Sequence, residues 1–397
     1  MKKKDIVHII EQLKVNPVFQ MSLGSKELFH SNFLAWIFDN RNLKDYALAI
    51  LNQLPGLLEE VIDISKPPER EKLNIDLTLD IQSKSGIKKI IIENKVKSLP
   101  QKDQLLKYSE KTNTANHYIL LSLSEPAFEK LALDRKLTLK NSENIGITWH
   151  FLSYSDLSKI LEIALVKVND GFEKQLLEYY ISFIKYLDKI AQECNLNEDD
   201  LFDFHDNDLV AELGKIRIKD LYLKKKYESL SVLIYKKLKS AGFNVMDLGQ
   251  KINWKEECDQ AVFVTSDFTN SMGLSDVKFQ VASKLSLGIQ IQGEQYRMVV
   301  RDMNSDIAEK IKEDLEKEFW FQFKEQKETV DIFPKDKEKF NKYNKHFYYR
   351  YVKLGKDKKV SELVDCVVKD IVLIKSSVDK VKLILEKHNL LNEAYSI

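Results

Sequence analysis

Between Ile75 and Ile81 the chain alternates strictly: Ile75, Leu77, Leu79 and Ile81 are apolar, while Asp76, Thr78 and Asp80 are polar. That period of two predicts a strand with one buried face. Ser83-Lys84-Ser85-Gly86 follows with turn chemistry. Lys88 to Lys95 is β-branched and apolar on both sides, as a central strand would be. Folding this hairpin about Lys84 and Ser85 sets Asp76 opposite Glu93, with Cβ atoms about 5 Å apart. Lys95 then shares the face of Glu93, and Asn94 points the other way. A slip of one residue would carry Asp76 to the opposite face, so the arrangement depends on the turn.

The flanking patterns predict helices and further strands. Residues 4 to 15 read as a short helix ended by Pro17. Ser25 is placed to cap a helix through SKELFHSNFLAWIFDN, on which Glu27, His30 and Ser31 share a face. Asp45 to Leu54 predicts another helix, and Val61 to Ile64 a strand. After Pro100 comes a helix with Gln104 and Tyr108 at i and i+4. His117 to Leu123 and Ile147 to Leu152 read as buried strands. Helices opening at Ser155 and running from Phe172 to Cys194 follow. Helix, antiparallel hairpin, helix, strand, strand is an α/β arrangement with a mixed sheet.

Beyond a polar, acidic linker at 195–200, Asp208 to Ala241 predicts one helix. Four strands are expected at Gln260 to Thr265, Val277 to Ala282, Leu287 to Gln292 and Gln295 to Val300, with Gly293-Glu294 as a hairpin turn. Long helices are expected at Ile307 to Phe323 and Val360 to Lys387. The chain therefore reads as two domains, 1–194 and 201–397, the second α+β. In it, Lys335 to Lys359 interleaves Lys337, Lys339, Lys342, Lys345, Arg350 and Lys353 with Phe340, Tyr343, Phe347, Tyr348, Tyr349 and Tyr351. Such a stretch suits a nucleic-acid groove. The plainer reading is a helix-to-strand segment with its rings in a core and its lysines in solvent.

Two carboxylates and an ammonium at one end of a hairpin form a chemical site. Hard oxygen ligands at that spacing suit Mg²⁺ or Mn²⁺, and a lysine alongside can orient or deprotonate water. Edge charges on a solvated strand are the plainer reading of these three residues taken alone. The flanking motifs are what favour chemistry. Glu27-x-x-His30-Ser31, Ile75-Asp76, Ile92-Glu93-Asn94-Lys95 and Gln104-Leu105-x-x-Tyr108 together resemble the PD-(D/E)XK nuclease superfamily over roughly residues 15 to 190. Ile75 stands where the motif's proline would be. The resemblance implies a restriction-endonuclease-like core and a Mg²⁺-dependent nuclease, with DNA as the substrate. Asp76 and Glu93 would be metal ligands, and the first-helix Glu27 would contribute a third, often through water. Lys95 would prepare the attacking water, and Gln104 and Tyr108 would orient the lysine or the phosphate. Enzymes of this kind often dimerise, and those with an unassigned second domain are frequently bacterial or mobile-element defence proteins.

Other candidates are weaker. Asp80 lies about 13 Å along the strand from Asp76, and Glu71 has nothing to support a role. His30 is a candidate for metal or phosphate binding, though a histidine on a packed helix usually makes a structural hydrogen bond. His117, His150, His205 and His346 stand alone in the sequence and read as structural.

Composition narrows the function classes. Net charge is only +1, so polyanion binding needs local basic patches. Three scattered cysteines argue against zinc or a disulfide framework and fit a reducing cytosol. No apolar run approaches about 18 residues, so no membrane span is expected, and the basic N-terminus turns amphipathic at once, as a helix would. There is no P-loop, dinucleotide fingerprint or nucleophile elbow. Two other readings stay open: a nucleic-acid or partner-binding module on a nuclease scaffold, and a ribonuclease toxin using the same three residues.

Overall fold

The computed structural model describes residues 2–22, 27–98, 100–112, 115–126, 135–140, 146–205, 207–254, 260–269, 271–303, 305–323, 330–331, 340–355 and 358–396. The expected cap at Ser25 and the basic residues Lys337 and Lys339 lie outside them. Two compact units are present: Met1–Cys194 with Asp208–Tyr222, and Asn195–Asn207 with Leu223–Ile397.

The first unit begins with α1 (Lys2–Val15) and α2 (Pro17–Met21). Pro17 opens the second helix because its missing N–H costs nothing at that position, and Asn16 Oδ1 caps it by accepting from Phe19 N. Then come α3 (Glu27–Asp39), α4 (Lys44–Leu51), β1 (Val61–Ile64), β2 (Glu69–Arg70), β3 (Leu77–Ser83) and β4 (Gly86–Lys95). They are followed by α5 (Lys102–Lys111), β5 (His117–Ser122), β6 (Lys136–Lys140), β7 (Gly146–Ser153), α6 (Tyr154–Ala164) and α7 (Phe172–Glu193). The strands form one mixed sheet in the order β1-β3-β4-β5-β7-β6, with β2 added on β3. β4, β5 and β7 run parallel and the other pairs antiparallel. Helices flank this sheet, as the resemblance implies.

The expected register is the observed one. Pairs run from Leu77↔Ile92 to Ser83↔Gly86, leaving Lys84-Ser85 as the loop. Gly86 sits at φ +124°, where a side chain would be strained. On one face of the sheet Ile91, Tyr118, Leu120 and Trp149 pack with Leu105 and Tyr108 of α5. This positions α5 over the end of β4. β2 and β6 carry no expectation from the sequence: one has two residues, and the other gains its place by pairing with β7.

The expected helix from Asp208 is two, α8 (Asn207–Lys215) and α9 (Lys219–Ser240), broken where Arg217 adopts φ +59°. The second unit's sheet contains β8 (Val262–Thr269), β9 (Met272–Ala282), β10 (Leu285–Gln292) and β11 (Gln295–Asp302). After α10 (Ile307–Glu318) come β12 (Val330–Asp331), β13 (Asn341–Asn344), β14 (Phe347–Leu354), α11 (Val360–Ser376), α12 (Val378–Lys387) and α13 (Leu391–Tyr395). The order is β12-β14-β11-β10-β9-β8, with β13 on β14, all antiparallel. Two expected helices are cut short. α10 stops at Glu318, and Trp320 then turns inward to donate to Val299 O; the long C-terminal helix divides at Ser377. Among the described residues no helix is long and apolar enough to cross a membrane.

Candidate active site

Asp76 reaches the end of the hairpin through a contorted loop. Glu71, Leu73 and Asn74 all have positive φ (52°, 59° and 65°), a conformation costing of order 1–3 kcal/mol each outside glycine. Asp76 stands one residue before the first ladder pair, and its Oδ2 accepts from Asn94 N at 2.7 Å. A side chain thus continues the ladder and holds the carboxyl beside Glu93.

Lys95 Nζ lies 2.7 Å from Glu93 Oε1, with both side chains almost fully buried. The carboxyls of Asp76 and Glu93 lie near enough to perturb each other's titration. As carboxylates neither can donate, and Glu93 Oε2 is left buried without a hydrogen-bond partner. Burial pushes Glu93 well above its ordinary range; Lys95 pulls it back and Asp76 raises it again. Burial likewise raises Asp76, against the Asn94 N–H and the Lys95 charge. At Lys95 burial opposes the charge, but Glu93, Glu27 and Asp76 outweigh it and hold the ammonium above its usual range.

Glu27 is occupied differently from the expected metal ligand. Its Oε1 accepts from the N–H groups of Val96, Lys97 and Ser98 at 3.0 Å each and from Ser98 Oγ at 2.6 Å. The carboxylate therefore clamps the turn that leaves β4. Burial works against its charge, yet Ser98, Lys95 and the backbone donors keep its carboxyl below the ordinary value. Among the described residues no three or more His, Cys, Asp or Glu side chains gather as a metal cluster. The oxygen donors on offer are the Asp76–Glu93 pair. Such a pair fits Mg²⁺ or Mn²⁺, which take one or two protein carboxylates and fill the remaining positions with water and phosphate. The donorless Glu93 Oε2 is the atom that would gain most from a cation.

On the reverse face of β4, Asn94 is completely engaged. Its Nδ2 donates to Glu27 O (3.0 Å) and Ser31 Oγ (3.3 Å), and its Oδ1 accepts from Tyr154 OH (2.6 Å). This network ties α3 and α6 to the strand that carries Glu93 and Lys95. The sequence reading placed Asn94 on the far face but missed its role; a buried amide inside an apolar strand was the available signal, because it must find partners. His30 lies in the same region, Nδ1 3.2 Å from Tyr180 OH and packed against Tyr154 and Phe183. Burial lowers its pKa to about 3, so the ring is neutral.

Gln104 Nε2 donates to Tyr108 OH at 2.6 Å. Burial and the Glu93 charge raise the Tyr108 phenol, so its hydroxyl lies within reach of the site's field. Asp80 is elsewhere, paired with Lys66. The histidines read as solitary have partners: His117 stacks on His150 at 4.7 Å, His205 meets Tyr227 OH, and His346 meets Asp302.

Searches of curated proteins and of solved structures found no match. A family model described as the PD-(D/E)XK nuclease superfamily matches residues 16–182, the span that supplies Glu27, Asp76, Glu93, Lys95, Gln104 and Tyr108.

Proposed function

We propose that the protein is a metal-dependent nuclease that hydrolyses phosphodiester bonds in DNA. The observation that carries this reading is the buried meeting of Asp76 with Glu93 beside the Lys95 ammonium. Asp76 and Glu93 would hold Mg²⁺ or Mn²⁺, which supplies Lewis-acid polarisation of the phosphate and a more acidic water. The Asn94 N–H and the network behind it keep the Asp76 carboxyl oriented. The raised Lys95 pKa favours a charged ammonium, suited to orienting water and stabilising negative charge on the phosphate, and less suited to removing a proton. Tyr108, steadied by Gln104, would present its hydroxyl to the phosphate backbone or to Lys95.

Incubating the purified protein with plasmid DNA in Mg²⁺ or in EDTA tests the reading, alongside Lys95→Ala. Degradation only in Mg²⁺, lost in the variant, is expected; equal activity of Lys95→Ala would refute the assignment. One observation favours a non-cutting binding scaffold: Lys95 and Glu93 already satisfy each other's charge. Absence of cleavage of both DNA and matched RNA in Mg²⁺ and Mn²⁺ would select it. Cleavage of RNA alone would select the ribonuclease.

A further inference from the structure

The second unit's sheet has two unlike faces. Cross-strand register places Tyr296, Met298 and Val300 of β11 beside Val352, Arg350 and Tyr348 of β14. Helices meet this face. Asp370 of α11 accepts from Tyr296 OH at 2.5 Å, Lys312 of α10 lies 5.1 Å from the Tyr348 ring, and Glu316 of α10 pairs with Arg350. Ser231 of α9 reaches Ser275 of β9, on the same side.

The opposite face carries a row of rings and several cations around buried Val299, with Lys353 3.5 Å from Glu294. Along β14 it displays Phe347, Tyr349, Tyr351 and Lys353, which pair with Arg301, Val299, Arg297 and Gln295 of β11. Ring centroids step by 6.0 Å from Phe347 to Tyr349 and by 6.3 Å to Tyr351; Tyr343 of β13 extends the row at 6.2 Å from Phe347. Tyr343 is 73% exposed, Lys353 is exposed, and Tyr349, Tyr351, Arg297 and Arg301 are half-buried. The Arg297 guanidinium lies 4.6 Å from the Tyr349 centroid and is held there by Gln290 and Gln295. Folding alone gains little from rings left half in water beside guanidinium groups. A row of rings on a stiff sheet, interleaved with cations, is complementary to a polyanion that carries flat bases. The aromatic and basic stretch noted in the sequence is thus shared between faces: Tyr348 and Arg350 serve the helices, and Tyr349, Tyr351 and Lys353 do not.

We propose that this face binds single-stranded nucleic acid. Bases stack on Tyr351 and on the Arg297–Tyr349 pair, and phosphates meet Arg301 and Lys353. The choice of nucleic acid among polyanions rests on the nuclease reading of the first unit. A single strand is favoured over a duplex because paired bases do not offer their faces to tyrosines.

Fluorescence anisotropy of labelled oligothymidylate and oligouridylate of about 16 nucleotides, with the full chain in EDTA, tests this. Tyr349→Ala and Tyr351→Ala are expected to weaken binding by about 5- to 150-fold each, the range for one lost base stack. Tyr351→Phe should bind like the parent, and Arg301→Gln should lower the salt slope by about 0.7. Should Tyr349→Ala fail to fold, Tyr349→Leu keeps the apolar volume and removes the stack. Absence of binding by the parent, parent-like binding by the alanine and leucine variants, or tighter binding of the matching duplex would overturn the proposal. EDTA removes the cation on which cleavage depends, so this result and the plasmid assay fail independently.

Discussion

Replacing Glu27 separates a clamp from a metal ligand. Glu27→Ala deletes the acceptor of four hydrogen bonds, three from the successive amides of Val96, Lys97 and Ser98 and one from Ser98 Oγ. Buried bonds to a charged group contribute about 1.5–3 kcal/mol each. This turn is partly open to water, which recovers some donors, so roughly 1 kcal/mol each and about 4 kcal/mol in total is the expected loss. At about 2–4 °C per kcal/mol for a unit of this size, Tm should fall by roughly 8–16 °C in calorimetry. Glu27→Gln keeps an oxygen for the same donors and gives up only the charge, so a loss near 1 kcal/mol is expected, with Mn²⁺ affinity retained by isothermal titration. The pH dependence carries a sign. The folded carboxyl titrates below its ordinary value of 4.5, so its contribution is present above that pH and fades as pH falls through the folded value. Glutamine does not titrate, so the stability gap between parent and Glu27→Gln should close in acid. A Glu27→Gln protein with unchanged Tm and tenfold weaker Mn²⁺ binding would refute the clamp and restore Glu27 as a ligand.

Asp76→Asn should abolish cleavage yet raise Tm by a few degrees, because a close carboxyl pair loses its repulsion; a lower Tm with cleavage lost would contradict that origin. Mg²⁺ at 100 times its Kd should stabilise the parent by about 2.7 kcal/mol and leave Asp76→Asn unshifted, measured by denaturant midpoints. His30, with its pKa near 3, should show no imidazole titration by NMR between pH 5 and 8. The unfolded chain alone takes up that proton below about 6.5, so this histidine's share of stability is lost as pH falls from there toward 3; a His30 titration near 6.5 in the native protein would exclude the buried assignment. Gly56→Ala should destabilise by at least about 2 kcal/mol, since Gly56 sits at φ +81° and a Cβ there would stand 2.1 Å from His150 Cε1; a denaturant midpoint equal to the parent's would show that the ring moves aside freely.

The amino-acid order by itself determined the hairpin, its register and the meeting of Asp76, Glu93 and Lys95. Alternation, β-branching and a short turn act over a few residues, and a period of two leaves no freedom about which side chains share a face. The same holds for Gln104 with Tyr108, one turn apart on α5. What only the tertiary structure decided involves groups distant in the chain. Glu27 meets the amides of 96–98, Asn94 meets Ser31 and Tyr154, burial raises Glu93, and the carboxyls of Glu93, Glu27 and Asp76 keep Lys95 charged against its own burial. None of these follows from local pattern, because hydrogen-bond partners and desolvation depend on which surfaces the fold brings together. The breaks at Arg217 and Ser377 fall in the same class, since both lie inside runs whose periodicity continues without interruption. So does the sorting of Tyr348 from Tyr349: alternation says they part, and only the helices packed on one side decide which of them is covered.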